Sequence, residues 1–135
     1  MSHLLDTNSF IDHLRLGAGS KVTAKIAVAP PGSVHLCSVV LAELFYGAMH
    51  SGVKYRAANL GLHAKLQQQF ASLPFDDRAA EEYGKIRAHL TARGTPIGPN
   101  DLMIAAIALA NRLTLVTHNT SEVSRVPGLG LVDWQ

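Results

Sequence analysis

Three short stretches in which nearly every residue is apolar, at residues 3–5, 34–37 and 113–116, alternate with longer segments of helical periodicity, and this alternation restricts the chain to few folds. A strand that is apolar at successive positions is covered on both faces, the condition of a parallel sheet packed between helices. Residues 3–5 read as the first strand, with a short helix from Ser9 to Leu14 after it. Ser20, beyond the Gly17-Ala18-Gly19 turn, is placed to cap a second helix reaching Val28, which Pro30-Pro31-Gly32 ends. After the strand at 34–37, Ser38 stands as the cap of a helix carrying Leu41, Leu44, Phe45 and Ala48 at helical spacing.

A long helix is expected over residues 55–71 with Leu60, Ala64 and Phe70 turned inward, followed by a short strand at 73–75. An amphipathic helix then runs from Asp76 or Asp77 to about Ala92, and a helix at 101–111 is apolar almost all round. The strand at 113–116 and a last one at 129–132 complete an α/β chain in three layers, helices flanking a central parallel sheet. Residues 1–135 are expected to form one domain, since a chain of this length buries about two-thirds of its unfolded surface and neither repeats nor linkers interrupt it. No apolar run reaches the roughly 18 residues of a membrane span, and Met1-Ser2-His3 lacks the basic and apolar opening of a secretory signal. A soluble, cytoplasmic protein is expected. Cys37 is the only cysteine, which excludes an internal disulfide or a thiolate cluster and reads as core packing.

The ten acids are informative by position. Ligands in such sheets bind at the carboxyl ends of the strands. Asp6 follows the first strand, and Glu43 lies one turn into the helix after the second. The helix at 101–111 feeds directly into a strand, so it runs antiparallel to that strand and its first residue, Asp101, lies at the same edge. Asn119 stands just past the end of the strand at 113–116. Carboxylates brought together in an apolar setting need a cation or a proton to compensate them. Oxygen donors without Cys or a His pair favour Mg²⁺ or Mn²⁺ over Zn²⁺. Such a cation suits phosphodiester hydrolysis, with Asp6 and Asp101 as ligands and Glu43 as base or holder of a water. Thr7 and Thr117 are candidates to orient the carboxylates. With those three acids set aside, seven remain against twelve Lys and Arg, a basic surface suited to a polyanion. Each acid also has a plainer role open to it, as a helix cap or solvated residue. Tyr46, Tyr83 and Trp134 read as core or rim packing, and His118 as exposed.

The segments Leu4-Leu5-Asp6-Thr7-Asn8 and Ser38-Val39-Val40-Leu41-Ala42-Glu43-Leu44-Phe45-Tyr46-Gly47 resemble the first two motifs of PIN-domain ribonucleases. Gly94-Thr95-Pro96-Ile97-Gly98-Pro99-Asn100-Asp101 and Leu115-Val116-Thr117-His118-Asn119 resemble the third and fourth. The ending Arg125-Val126-Pro127-Gly128-Leu129, with Val132-Asp133-Trp134, is similar to that of VapC-type toxins. The resemblance spans the whole chain. It implies a Mg²⁺- or Mn²⁺-dependent endoribonuclease that cuts transfer or ribosomal RNA to block translation. It also implies a homodimer neutralised by a VapB-like antitoxin that docks on part of the segment from Phe10 through Ala71. Asp6, Glu43 and Asp101 match the family's acidic triad, and Asn119 takes a fourth position that is often Asp. Asn brings no charge, and Glu122 is placed to supply it through water. Arg87, Arg93 and Arg125 are candidates for RNA phosphates.

Two other readings stay open at this stage. A haloacid-dehalogenase-type phosphatase also places Asp after its first strand, but it requires a second Asp two residues later, where this chain has Asn8. A PIN-like domain that binds RNA or a partner with weak catalysis is the other, and Asn119 is the residue that favours it.

Overall fold

The computed structural model describes residues 1–135. Five strands, β1 (His3–Leu5), β2 (Val34–Cys37), β3 (Ser72–Leu73), β4 (Thr114–Val116) and β5 (Leu131–Val132), form one sheet in the order β3-β2-β1-β4-β5. Every neighbouring pair is parallel. Central β1 pairs His3 with Val34 on one side and with Thr114 on the other. Seven helices flank the sheet: α1 (Thr7–Leu16), α2 (Lys21–Val28), α3 (Ser38–His50), α4 (Val53–Gln69), α5 (Asp77–Ala92), α6 (Pro99–Ala110) and α7 (Thr120–Val123). The three-layer parallel α/β architecture read from the apolar strands is the one observed. No helix is long and apolar enough to cross a membrane.

Leu4, Leu5, Leu36, Leu115 and Val116 are buried at the sheet, with Phe10 of α1 fully enclosed against Phe70 at a ring separation of 5.5 Å. Each such side chain contributes about 1.5–3 kcal/mol through burial. A second cluster joins Ile86 and Leu90 of α5 to Leu102, Ala105 and Ala106 of α6. This cluster clamps α5 to α6 and holds the first turn of α6 at the carboxyl edge of the sheet.

Several boundaries differ from the sequence reading, each for a local reason. Helix α1 starts at Thr7, not Ser9, because Asp6 takes the cap position and accepts from Ser9 N. Ser38 is the first residue of α3; its Oγ accepts from Phe75 N and caps nothing. Helix α6 begins at Pro99, whose fixed φ suits a first helical position. Strand β3 stops at Leu73, before Pro74, which has no N–H to add to a ladder. In α4 the inward residues are His63 and Leu66, while Leu60 is half-buried and Ala64 exposed. Its leucines are spread around the helix, so they mark no single face. Strand β5 is confined to residues 131–132, and α7, four residues long, had no periodic signal to show it.

Candidate metal and catalytic site

The carboxyl ends of β1 and β4 lie side by side, Leu5 paired with Val116. Beyond that pair the backbone N–H of Asp6 donates to Val116 O at 3.1 Å, and Ser9 Oγ reaches the same carbonyl at 3.4 Å. Asp6 is buried, and its Oδ1 accepts from Ser9 N at 2.9 Å, the N-cap bond of α1. Its Oδ2 has no protein partner. The cap and the ligand readings of Asp6 are therefore compatible, one oxygen serving each.

Glu43 projects from α3 towards the start of α1, where Thr7 Oγ1 donates to Glu43 Oε1 at 2.5 Å. Asp101 lies in the first turn of α6, facing the loop after β4. There Asn119 Nδ2 donates to Asp101 Oδ2 at 3.2 Å and to Glu122 Oε2 at 2.9 Å. Ionised carboxylates only accept, so the amide must present its NH₂ to both. Thr117, fully buried, accepts from Asn119 N at 3.0 Å. Its hydroxyl thus shapes the turn that carries Asn119 and contacts no carboxylate, unlike that of Thr7.

Burial pushes the Asp101 carboxyl up from its ordinary range, and the charges of Asp6, Glu43 and Glu122 push the same way, against the hydrogen bond from Asn119. No Lys or Arg is ion-paired with this cluster, the ion pairs of the molecule being Lys85 with Glu82 and His118 with Asp133, although Arg15 lines the same groove as Glu43. The four acids are all-oxygen donors with an unmet demand for positive charge, which fits a hard divalent cation. They do not close into a compact cage of three or more His, Cys or acidic ligands.

The sequence-derived acids, Asn119 and Glu122 thus converge at one rim. The three arginines do not reach them directly and instead flank the connection into α6. Arg125 Nη1 donates to Pro96 O at 3.3 Å, Arg87 Nη1 to Tyr83 Oη at 3.2 Å, and Arg93 is the exposed C-cap of α5. His118 is exposed, its ring held by Asp133 at 2.9 Å. Trp134 is buried and Tyr83 half-buried, as packing residues should be, but Tyr46 is 69% exposed. Its position three residues after Glu43, on the same face of one helix, was the available signal.

A family model described as PIN domain matches residues 3–129. The chain is 40% identical over 99 residues to the tRNA(fMet)-specific endonuclease VapC of Salmonella typhimurium, covering 73% of this chain and 74% of that one. It is 33% identical over 134 residues to Ribonuclease VapC2 of Rickettsia felis, covering 99% and 98%. Among solved structures it superposes on DNA-bound VapBC from Salmonella typhimurium with a TM-score of 0.91 and 32% identity, covering 100% of this chain and 99% of that one. Against VapBC2 from Rickettsia felis bound to a promoter DNA fragment the TM-score is 0.88 at 29% identity, over the full length of both chains.

Proposed function

Because this chain belongs to the PIN-domain family, among its VapC ribonucleases, we propose that it is the toxin of a VapBC-type pair, a divalent-metal-dependent endoribonuclease that hydrolyses phosphodiester bonds in RNA. The observation that carries the chemistry is the cluster of Asp6, Glu43, Asp101 and Glu122 with no basic side chain ion-paired to it. Asp6 and Asp101 are the residues that would hold Mg²⁺ or Mn²⁺. A bound cation would supply an activated water and offset charge on the phosphorane. Glu43, fixed by Thr7, takes the proton from the attacking water as its oxygen bonds to phosphorus. One ester P–O bond breaks, and the leaving ribose oxygen takes a proton from solvent. Asn119 donates to both Asp101 and Glu122 and so offsets part of the repulsion between them.

Transfer RNA is the substrate class that the relatives' names favour, initiator tRNA in particular. Arg87, Arg93 and Arg125 supply positive charge along the α5–α6 connection for its phosphates. The partner is a VapB-like antitoxin, as in the VapBC complexes that this fold superposes on. Its seat is a groove of about 220 Å³ between α1, α3 and α4, lined by Ile11, Leu14, Leu44, Leu62 and His63. Self-association into a homodimer is read on the same preparation by sedimentation.

The test is incubation of purified, antitoxin-free protein with total bacterial RNA in Mg²⁺, Mn²⁺ or EDTA, beside an Asp101→Asn control, with fragment ends sequenced. Discrete metal-dependent cuts absent from the control are expected. Folded, metal-loaded protein that cuts nothing would leave a binding domain in place of an enzyme.

A further inference from the structure

Beside the acids, a depression of about 670 Å³ opens between the start of α1, the face of α3 and the first turn of α6. Its volume lies within the roughly 300–1,000 Å³ of small-ligand pockets. Thr7 and Glu43 form the side that it shares with the acidic cluster. Its floor is apolar, from Val39, Ala42 and Met103, and its rim carries Asn8, Asn100 and Tyr46.

None of those three rim side chains is spent inside the fold. The amides of Asn8 and Asn100 make no protein hydrogen bond, nor does the Tyr46 hydroxyl, and all three residues are exposed. The Tyr46 ring is flanked by its neighbour one turn along: His50 lies nearly parallel to it, 14° off, with centroids 5.6 Å apart. An exposed aromatic ring flanked on one side, an apolar floor and two free amides are the parts that receive an unpaired base. The ring and floor take its faces, and the amides, each with donors and an acceptor, take its edge.

We propose that this depression seats a nucleobase of the RNA strand next to the cleaved phosphodiester, with Tyr46 as its stacking platform and the Asn8 and Asn100 amides facing its edge. The inference rests on the ribonuclease reading and adds to it the place where sequence is read. Tyr46 and Glu43 are three residues apart on α3, so a base against Tyr46 puts an adjoining phosphate within reach of the acids. No Asp or Glu other than Glu43 lines the depression, so a base docked there meets no further negative charge.

The experiment uses wild-type, Tyr46→Ala and Tyr46→Phe protein with a labelled transcript spanning the cut mapped in total RNA. The transcript is used intact or with one abasic nucleotide on either side of the cut. Loss of one base–aromatic stack corresponds to about a 5- to 150-fold weaker interaction. Tyr46→Ala should therefore raise KM about tenfold with kcat within twofold, and Tyr46→Phe should behave as wild type. One of the abasic transcripts should impose the same penalty on wild type and no further penalty on Tyr46→Ala. An unchanged KM for Tyr46→Ala, or penalties that simply multiply, would overturn the base seat and leave the ribonuclease standing. So would activity of Tyr46→Ala restored at higher protein concentration from a monomeric state, which assigns Tyr46 to contact with a second copy. Normal cleavage combined with escape from the antitoxin would assign it to that partner. A wild-type protein silent on total RNA with metal bound overturns the ribonuclease reading and the base seat together.

Discussion

Replacing Asn119 with Asp tests the electrostatics of the site in the absence of any substrate. In the native chain the Asn119 amide donates to Asp101 at 3.2 Å and to Glu122 at 2.9 Å. Hydrogen bonds to charged groups contribute about 1.5–3 kcal/mol each, and solvent screening at this half-exposed rim discounts them to about 1–1.5 kcal/mol each. Asn119→Asp removes both donors and adds a negative charge beside Asp101, so about 2–3 kcal/mol is a lower bound on the cost to the metal-free protein. For 135 residues at about 2.1 cal/mol/K each, 1 kcal/mol is worth about 3.5 °C in Tm. The melting point in EDTA should fall by about 7–11 °C. Divalent cation at 100 times its Kd returns about 2.7 kcal/mol to any state that binds it, and the variant, with one more carboxylate, should bind it more tightly. The gap between the two proteins should therefore shrink as Mg²⁺ or Mn²⁺ is added. Asn119→Ala, which loses the donors without adding charge, should fall between them in EDTA. Equal melting points in EDTA, or a gap that metal does not change, would refute the reasoning.

Asp101, whose carboxyl burial holds above its ordinary range, should give the metal-free protein a stability that falls as pH rises. Between the unfolded value and the raised folded one, the folded chain holds a proton that the unfolded chain has released, so the slope is negative in that window. His3, His13, His63 and Asp133, all shifted down, contribute slopes of the opposite sign in both proteins, so urea titrations from about pH 3.5 to 7 should show wild type losing stability relative to Asp101→Asn as pH rises; an unchanged difference would count against the assignment. Metal affinity should decline as pH falls through the same window, because protons compete for the carboxylate. Asp6→Ser keeps a good N-cap for α1 while removing the ligand, so cleavage should vanish with stability changed by less than about 1 kcal/mol. Residual cleavage above a tenth of wild type would mean that Asp6 does no more than cap. The Cys37 thiol, pushed up to about 11 by burial, should resist alkylation in native protein at about pH 8 and react on unfolding. Fast modification of the native state would contradict its place in the core.

The parts of this fold that can be read without coordinates are those that a single physical demand fixes. Leu4-Leu5, Val34–Cys37 and Leu113–Val116 are apolar at nearly every residue because both faces of the sheet are covered, and that implies parallel strands and crossover helices. Once the strands are parallel, chain direction puts Asp6, Asp101 and Asn119 at one edge. What stays hidden depends on side-chain orientation. Nothing in the letters distinguishes an Asn119 that ligates through its carbonyl from one that donates to Asp101 and Glu122. Ser38 looks like a cap but spends its hydroxyl on Phe75 N, 37 residues away. Helix α4 hides its inward face because His63, a polar residue by composition, is buried beside Leu66. Tyr46 could be read as packing because aromatic residues usually pack, and only its 69% exposure separates it from Trp134.

The position of the proposed site follows from the strand order. In β3-β2-β1-β4-β5 the chain winds outward from β1 through β2 to β3, then returns to the other side of β1 for β4 and β5. The direction reverses between β1 and β4, and at such a reversal the helices leaving the two strands diverge and open a crevice at the carboxyl edge. Asp6 stands on one lip of that crevice, at the end of β1. Asn119 and Glu122 stand on the other, past β4, with Asp101 entering from α6, the helix that feeds β4. Three of the acids are steadied by hydrogen bonds: Asp6 by Ser9 N and Glu43 of α3 by Thr7, both from α1, and Asp101 of α6 by Asn119 beyond β4. The acids are therefore held apart by the fold at the one place where the backbone itself leaves a gap.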